Sequence, residues 1–263
     1  MKIVVCIKQV PSSSNVKVDE KTGSLIRNSA GVKMNPFDLF ALESALRIKE
    51  KYGAEITALT MGPPQAERIL KEAYKMGVDN AVLITDRAFA GSDVLATSYT
   101  LSQAIRKIGG VDLIICGKQT TDGDTAQVGP AISEYLDIPH AAWVSGIDSV
   151  KGSSIFVWQE LDEVKRALIE LTFPALITVE KDIFEARLPS YMTGLKNKDK
   201  AITTYTLKDM PDINPDNYGL SGSATQVERI FPPDDFKEKV VLDGSDKDIG
   251  EILVLKLKDA HIL

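Results

Sequence analysis

VDLIICGKQTTDGDTAQVGPA, Val111 to Ala131, is the stretch on which the fold turns. Val111 to Gly117 is apolar nearly throughout, as a strand is when helices cover both faces of its sheet. A polar loop follows, with Asp122 and Asp124 set among Gly117, Gly123 and Gly129, and then a helical pattern begins. Three earlier runs share the strand's character: Lys2 to Ile7, Glu55 to Met61, and Ala81 to Asp86. Each feeds a helix through a short loop, which is the signature of a mostly parallel α/β sheet flanked by helices.

The helices between these strands are legible too. One opens at Asn35-Pro-Phe-Asp38, with Asn35 placed to cap, Pro36 at the first helical position, and Phe37, Ala41, Ala45 and Ile48 on one face. A second follows Gly62-Pro-Pro64, with Ala66, Ile69, Leu70 and Ala73 periodic. A third follows Gly91-Ser-Asp93, with Leu95, Tyr99, Leu101 and Ile105 periodic. Before the first helix, Val16 to Val18 and Ser24 to Ile26 flank the turn Glu20-Lys-Thr-Gly23 and predict a small hairpin. After Leu136 the pattern changes from βα to ββ: a hairpin of Ser153 to Gln159 and Lys165 to Leu171 around Leu161 to Glu163, then a core strand at Pro174 to Val179. From Glu185 to about Asp216 the chain is polar and rich in Pro and Lys, and reads as an extended arm. An amphipathic segment, Asp248 to Leu257, comes last.

The composition excludes several classes. With 263 residues the chain can bury a full-sized core without disulfides or metals. No apolar run approaches the roughly 20 residues of a membrane span. The start MKIVVCIKQVP reads as a buried strand rather than a signal peptide, so a cytoplasmic protein is expected. A net charge of −6 argues against general nucleic-acid binding. Cys6 and Cys116 lie in strand-like runs without C-x-x-C spacing and read as buried thiols. His140 and His261, the two histidines, read as surface or packing residues. No catalytic triad and no metal-ligand set stands out, so the chemistry is expected to belong to a bound cofactor.

In an open parallel sheet, ligands bind beyond the carboxyl ends of the strands. Here those ends are Lys8 to Pro11, Met61 to Pro63, Asp86 to Asp93 and Gly117 to Asp124. In the longest of these loops, Asp124-Thr-Ala-Gln127 fits a capping box. Gly117, Gly123, Ala126 and Gly129 are small enough for a ligand or another backbone to come close. The amides of Thr125, Ala126, Gln127 and Val128 then stand free at a helix N-terminus, where phosphate is best held. Asp122 and Asp124 repel phosphate, so they must point away or serve as caps. The loop alone fits either a phosphate cradle or a well-capped turn. A Walker loop fails, since Gly117-Lys118 has Asp112 and Gln119 in the flanking positions, and G-x-G-x-x-G is absent.

Several motifs in order then resemble one family across nearly the whole chain, the beta subunit of electron transfer flavoprotein. They are VVCIKQVP at the start, Met34-Asn-Pro-Phe-Asp38, Thr60-Met-Gly-Pro63, Gly77-Val-Asp79, Asp112 to Gln119 with the loop after it, Phe173 to Val179, and Arg187-Leu-Pro-Ser190. The resemblance implies a nucleotide-binding α/β domain over 1–186, and a recognition loop and C-terminal arm over 187–263 that pack on an alpha subunit. It implies a nucleotide, FAD or AMP, against Cys6, Asn35, Pro36, Phe37, Asp38, Met61, Gly117, Gln119, Thr120, Asp122, Gly123, Asp124, Thr125, Ala126, Gln127 and Val128. With Ala126 and Val128 in place of the Asn and Thr of AMP-binding members, the loop looks like the branch in which FAD replaces AMP and accepts hydride from NADH. That branch bifurcates electrons, one to ferredoxin or flavodoxin and one, through a second FAD on the alpha subunit, to a dehydrogenase of acyl-CoA or lactate type. The alternative is the non-bifurcating form, with structural AMP. Ser92, Asp93 and Thr97 are further candidates for flavin or NADH contact, with helix capping as the competing role of Ser92 and Asp93. Leu188, Pro189 and Tyr191 fall in the family's recognition loop, with Leu188 as its apolar anchor.

Overall fold

The structure, a computed structural model, describes residues 1–12, 31–162, 165–228 and 241–263. Among these, nine strands form one sheet: β1 (Lys2–Cys6), β4 (Glu55–Met61), β5 (Asn80–Ile84), β6 (Leu113–Gly117), β7 (His140–Lys151), β8 (Ser154–Asp162), β9 (Lys165–Thr172), β10 (Ala175–Val179) and β11 (Thr203–Tyr205). Their order is β11-β5-β4-β1-β6-β10-β7-β8-β9. The ladders from β11 to β7 are parallel, and β8 and β9 extend the sheet antiparallel. A separate two-stranded ribbon pairs β2 (Gln9–Pro11) with β3 (Val32–Met34). The expected hairpin over Val16 to Ile26 lies outside the described residues, as does Glu163 of the later turn.

The helices are α1 (Pro36–Tyr52), α2 (Glu67–Met76), α3 (Val94–Ile108), α4 (Val128–Leu136), α5 (Tyr191–Lys196) and α6 (Asp246–Asp259). Two apolar layers sandwich the sheet. One joins Ile3, Val5, Ile56 and Ala58 to Ala41, Leu42 and Ala45 of α1 and to Ile69, Leu70 and Ala73 of α2. The other joins Val4, Leu59, Ile114 and Leu176 to Leu101 and Ala104 of α3 and Ile132 of α4. Strand residues alternate between the two layers, which is why the strands are apolar at nearly every position. On α3, Leu101 and Ile105 are buried as expected, beside Ala96, Thr100 and Ala104, whereas Leu95 lies at 44% exposure.

The chain divides into two compact units, Met1–Glu228 and Arg229–Leu263. The first runs well past the boundary expected at residue 186. Three features fasten residues 187–228 to the α/β body. β11 adds to the sheet beside β5, Met210 and Tyr218 are buried, and Arg187 bonds α1. A polar, Pro-rich composition concealed this, because the segment contributes few apolar side chains to a body that is already built. In the second unit, α6 starts at a capping box made by Ser245 and Asp248, around the segment expected to be amphipathic.

Candidate functional site

From β1 the chain crosses through α1 to β4 on one side, while β6 lies on β1's other flank. The strand order reverses there, and such a switch point opens a crevice beyond the carboxyl ends of β1 and β6. Cys6 and Cys116 stand opposite each other across this boundary. Both are buried free thiols, and the Cys6 thiol together with burial pushes Cys116 well above the ordinary range. Cys116 is thus a protonated packing group rather than a nucleophile.

Three loops meet above them. Asp38, in the first turn of α1, is buried and takes the Lys8 N–H on Oδ2 (2.7 Å) and Asn35 Nδ2 on Oδ1 (2.9 Å). The same Asn35 Nδ2 reaches the Gln119 carbonyl at 2.9 Å, and Asn35 Oδ1 accepts the Thr121 N–H at 3.3 Å. Asn35 was expected to cap α1, but its side chain makes no capping bond. It ties the β6 loop to the β1 loop instead, since a fully buried amide must satisfy its hydrogen-bonding groups wherever partners stand. Burial pushes the Asp38 carboxyl up to about 7, against the downward pull of the Asn35 and Lys8 hydrogen bonds.

The glycines have internal reasons. A Cβ on Gly117 would stand 2.7 Å from the Phe37 carbonyl carbon and 2.6 Å from Asp38 Oδ1, and one on Gly129 would stand 2.5 Å from Thr178 Cγ2. Gly117 lets the α1 N-terminus approach, and Gly129 lets α4 settle on β10. Gly123 is open, its nearest neighbour being Thr120 Oγ1 at 3.4 Å.

The expected capping box of Asp124 and Gln127 is not formed. The helix starts at Val128 with Gln127 in the cap position and no side-chain cap bond. Asp124 Oδ1 instead accepts from Gln119 Nε2. Asp124 (φ 53°) and Ala126 (φ 55°) are both left-handed, Thr125 between them is not, and Gln127 has φ −109°. That alternation, rather than a capped turn, shapes the loop, and it is a backbone pattern of the kind that can offer successive N–H groups to one anion. Among the described residues, none of the amides of Thr125, Ala126, Gln127, Val128 and Gly129 has a hydrogen-bond acceptor, whereas Asp124 N–H is bonded to the Thr120 carbonyl and Ala131 N–H to the Gln127 carbonyl.

The aspartates of this loop are accounted for. Asp122 Oδ1 meets Lys8 Nζ at 2.8 Å; burial would raise its carboxyl, but the Lys8 hydrogen bond and charge hold it below the usual range. With Asp122 paired and Asp124 engaged, the five free amides run from the loop into the first turn of α4, and Thr121 to Thr125 of that loop are exposed. This donor set fits an anionic group such as a phosphate or pyrophosphate. Met61 ends β4, two strands from β6, and is half-buried.

Ser92, Asp93 and Thr97 lie at the start of α3, beyond β5. Asp93 Oδ1 accepts the Ala96 N–H at 3.1 Å, so it caps the helix, and its Oδ2 takes both the N–H and the hydroxyl of Thr225 at 2.9 Å. Ser92 Oγ donates to the Phe89 carbonyl. Leu188 and Tyr191 are 86% and 77% exposed, beside Met192 and Leu195 on α5. Their mount is firm: Arg187 bonds Glu43 of α1 at 2.8 Å and Glu50 at 2.6 Å, Ser190 N–H bonds the Lys75 carbonyl, and Asn197 Nδ2 bonds the Tyr74 carbonyl. Two features carried no motif: the Asp93–Thr225 contact, which spans distant sequence, and a cluster of Lys118, Trp143 and Glu180. Among the described residues no group of three or more His, Cys, Asp or Glu is placed to hold a metal ion, and no helix is long and apolar enough to cross a membrane.

Residues 22–210 match the family model of the electron transfer flavoprotein domain. The chain is 40% identical, over the full length of both, to the electron transfer flavoprotein subunit beta of Clostridium acetobutylicum. It is 42% identical to the acryloyl-CoA reductase electron transfer subunit gamma of Anaerotignum propionicum and 39% identical to the caffeyl-CoA reductase-Etf complex subunit CarD of Acetobacterium woodii, again over all of each chain.

Proposed function

Because the chain belongs to the electron transfer flavoprotein family, in its beta-subunit line, we propose that the crevice over β1 and β6 holds FAD, in a heterodimer with an alpha subunit. The observation that carries this is the run of five acceptor-less amides from Thr125 to Gly129 at the switch point. Backbone donors at a helix N-terminus suit a pyrophosphate, and they spare the site a lysine cluster. Ala126 and Val128 support FAD over AMP, since small apolar side chains leave room beside the pyrophosphate.

Held there, FAD would supply the chemistry of hydride acceptance from NADH and of electron transfer toward ferredoxin or flavodoxin and toward a second FAD on the alpha subunit and a partner dehydrogenase of acyl-CoA or lactate type. The chain's own residues do the holding. Asn35 and Asp38 fix the β6 loop against the β1 loop, Lys8 neutralises Asp122, and the Gln119 amide holds the Asp124 carboxylate. No side chain is asked to act as acid or base. Leu188, Pro189 and Tyr191 present an apolar knob to the partner dehydrogenase, and their clamped mount lowers the ordering cost of docking.

The test is to co-express the chain with its alpha subunit, purify the pair, and count FAD and AMP after denaturation. Two FAD and no AMP, with NADH bleaching one flavin, are expected. One FAD with AMP would overturn the bifurcating reading and leave the AMP-binding form.

A further inference from the structure

Trp143 sits within β7 with its backbone in the left-handed region (φ 59°), where a bulky side chain is strained unless its surroundings fix it. They do so here. Its N–H bonds Thr178 Oγ1 at 3.0 Å, and the β7–β10 register breaks between Ile177 and Val179 at the same level. Trp143 is 45% exposed. The Lys118 ammonium stands 4.4 Å from the ring centroid, and Glu180 holds that lysine at 2.8 Å. One face of the indole is thus backed by a fixed, charge-neutral pair, and stacking is confined to the other.

Thr178 links the Trp143 backbone to the segment of free amides. Its hydroxyl accepts the backbone N–H of Trp143, and its methyl group lies against Gly129, the last of the five residues with acceptor-less amides. Lys118 opens the loop that carries the other four, and its own N–H bonds the Val179 carbonyl at 2.9 Å. Ring and amides therefore rim the carboxyl ends of the same two strands, β6 and β10.

The geometry points to Trp143, backed by Lys118 and Glu180, as an aromatic platform on which a planar heteroaromatic ring of a nucleotide stacks while its phosphates lie on the amides of Thr125 to Gly129. This rests on the nucleotide reading above and adds to it a subsite on β7. An exposed indole stacks adenine or isoalloxazine through the same chemistry, so the ligands in the test separate the two rings.

Calorimetric titration of the nucleotide-stripped heterodimer with AMP, FMN and inorganic pyrophosphate, for the parent, Trp143→Ala and Trp143→Tyr, tests this. In Trp143→Ala, affinity for AMP or FMN falls about tenfold, pyrophosphate affinity stays within about twofold, and Trp143→Tyr recovers most of the loss. A fall in AMP assigns the platform to adenine, and a fall in FMN assigns it to isoalloxazine. Unchanged AMP and FMN affinities, an equal fall in pyrophosphate, or a loss confined to heterodimer formation overturns the platform. A parent that binds neither nucleotide overturns the nucleotide reading itself. Should Trp143→Ala not fold, Trp158→Phe leaves Trp143 as the single tryptophan of this chain, whose two are counted in the sequence. Its fluorescence in the full chain is then quenched by FMN or AMP, and an unquenched signal at saturating ligand refutes stacking.

Discussion

Replacing Asp38 with Asn probes the joint that holds the three loops together. Asp38 is 5% exposed, and burial pushes its carboxyl up to about 7 from an ordinary 3.8. Between those two values the folded protein holds a proton that the unfolded chain has lost. Stability from this group is therefore fully present below pH 3.8 and declines as pH rises through about 7. A gap of three units corresponds to about 4 kcal/mol across that window. The depressed carboxylates Glu43 and Asp122 act in the opposite sense, and their contributions are lost at pH values below the ordinary carboxylate range, so the interval from pH 5 to 8 reports mainly on Asp38. Asp38→Asn keeps the shape but gives up one of two accepted N–H bonds, which costs about 1–2 kcal/mol at low pH. Urea unfolding of parent and variant at intervals from pH 5 to 8 is the assay. The parent loses stability toward pH 8 while Asp38→Asn is flat, so the two curves converge or cross near neutrality. Parallel curves would refute the reasoning, because they would place the proton elsewhere.

Other substitutions test separate joints. Gly129→Ala drives a Cβ into Thr178 Cγ2, 2.5 Å away, and destabilises by about 2 kcal/mol; adding Thr178→Ser removes that methyl while keeping the hydroxyl, and thermal unfolding of the double variant shows most of the loss restored. Arg187→Ala strands Glu43, whose side chain is 3% exposed, with Arg47 as its remaining ion-pair partner; chemical denaturation shows a loss of about 2 kcal/mol, and Arg187→Lys regains only part of it. Leu188→Ala and Tyr191→Ala leave unfolding unchanged, since both side chains are exposed, but raise KM for the partner dehydrogenase several-fold in a coupled electron-transfer assay.

What the sequence disclosed follows its physics. Buried parallel strands are continuous apolar runs, so β1, β4, β5, β6 and β10 were legible, and with them the sheet class and the loops at the strands' carboxyl ends. The longest strand, β7, escaped notice because its bulges break alternation and Trp143 interrupts it in a left-handed conformation. The loop from Gly117 to Val128 was legible as a cluster of small and acidic residues, but its mechanism was not. Asp124 and Gln127 have the spacing of a capping box, yet Gln119 takes Asp124, and the helix begins four residues after it. Nothing local marks that competition, since it depends on Asn35 holding the Gln119 carbonyl from another element. The glycines were recognised as sites of close approach, and in Gly117 and Gly129 the approaching groups are the chain's own. Glu185 to about Asp216 read as an extended arm because the attachment of residues 187–228 to the body is largely polar, through Arg187, Asn197 and Thr225, with Met210 and Tyr218 as the buried apolar anchors.

The most direct test is a crystal structure of the heterodimer with its bound nucleotide, read at one place. Phosphate oxygens within hydrogen-bond distance of the amides of Thr125 to Gly129, with Asp122 still on Lys8, are the predicted result. Phosphates lying elsewhere, with those five amides bonded to protein groups, would contradict the assignment of this loop as the cradle.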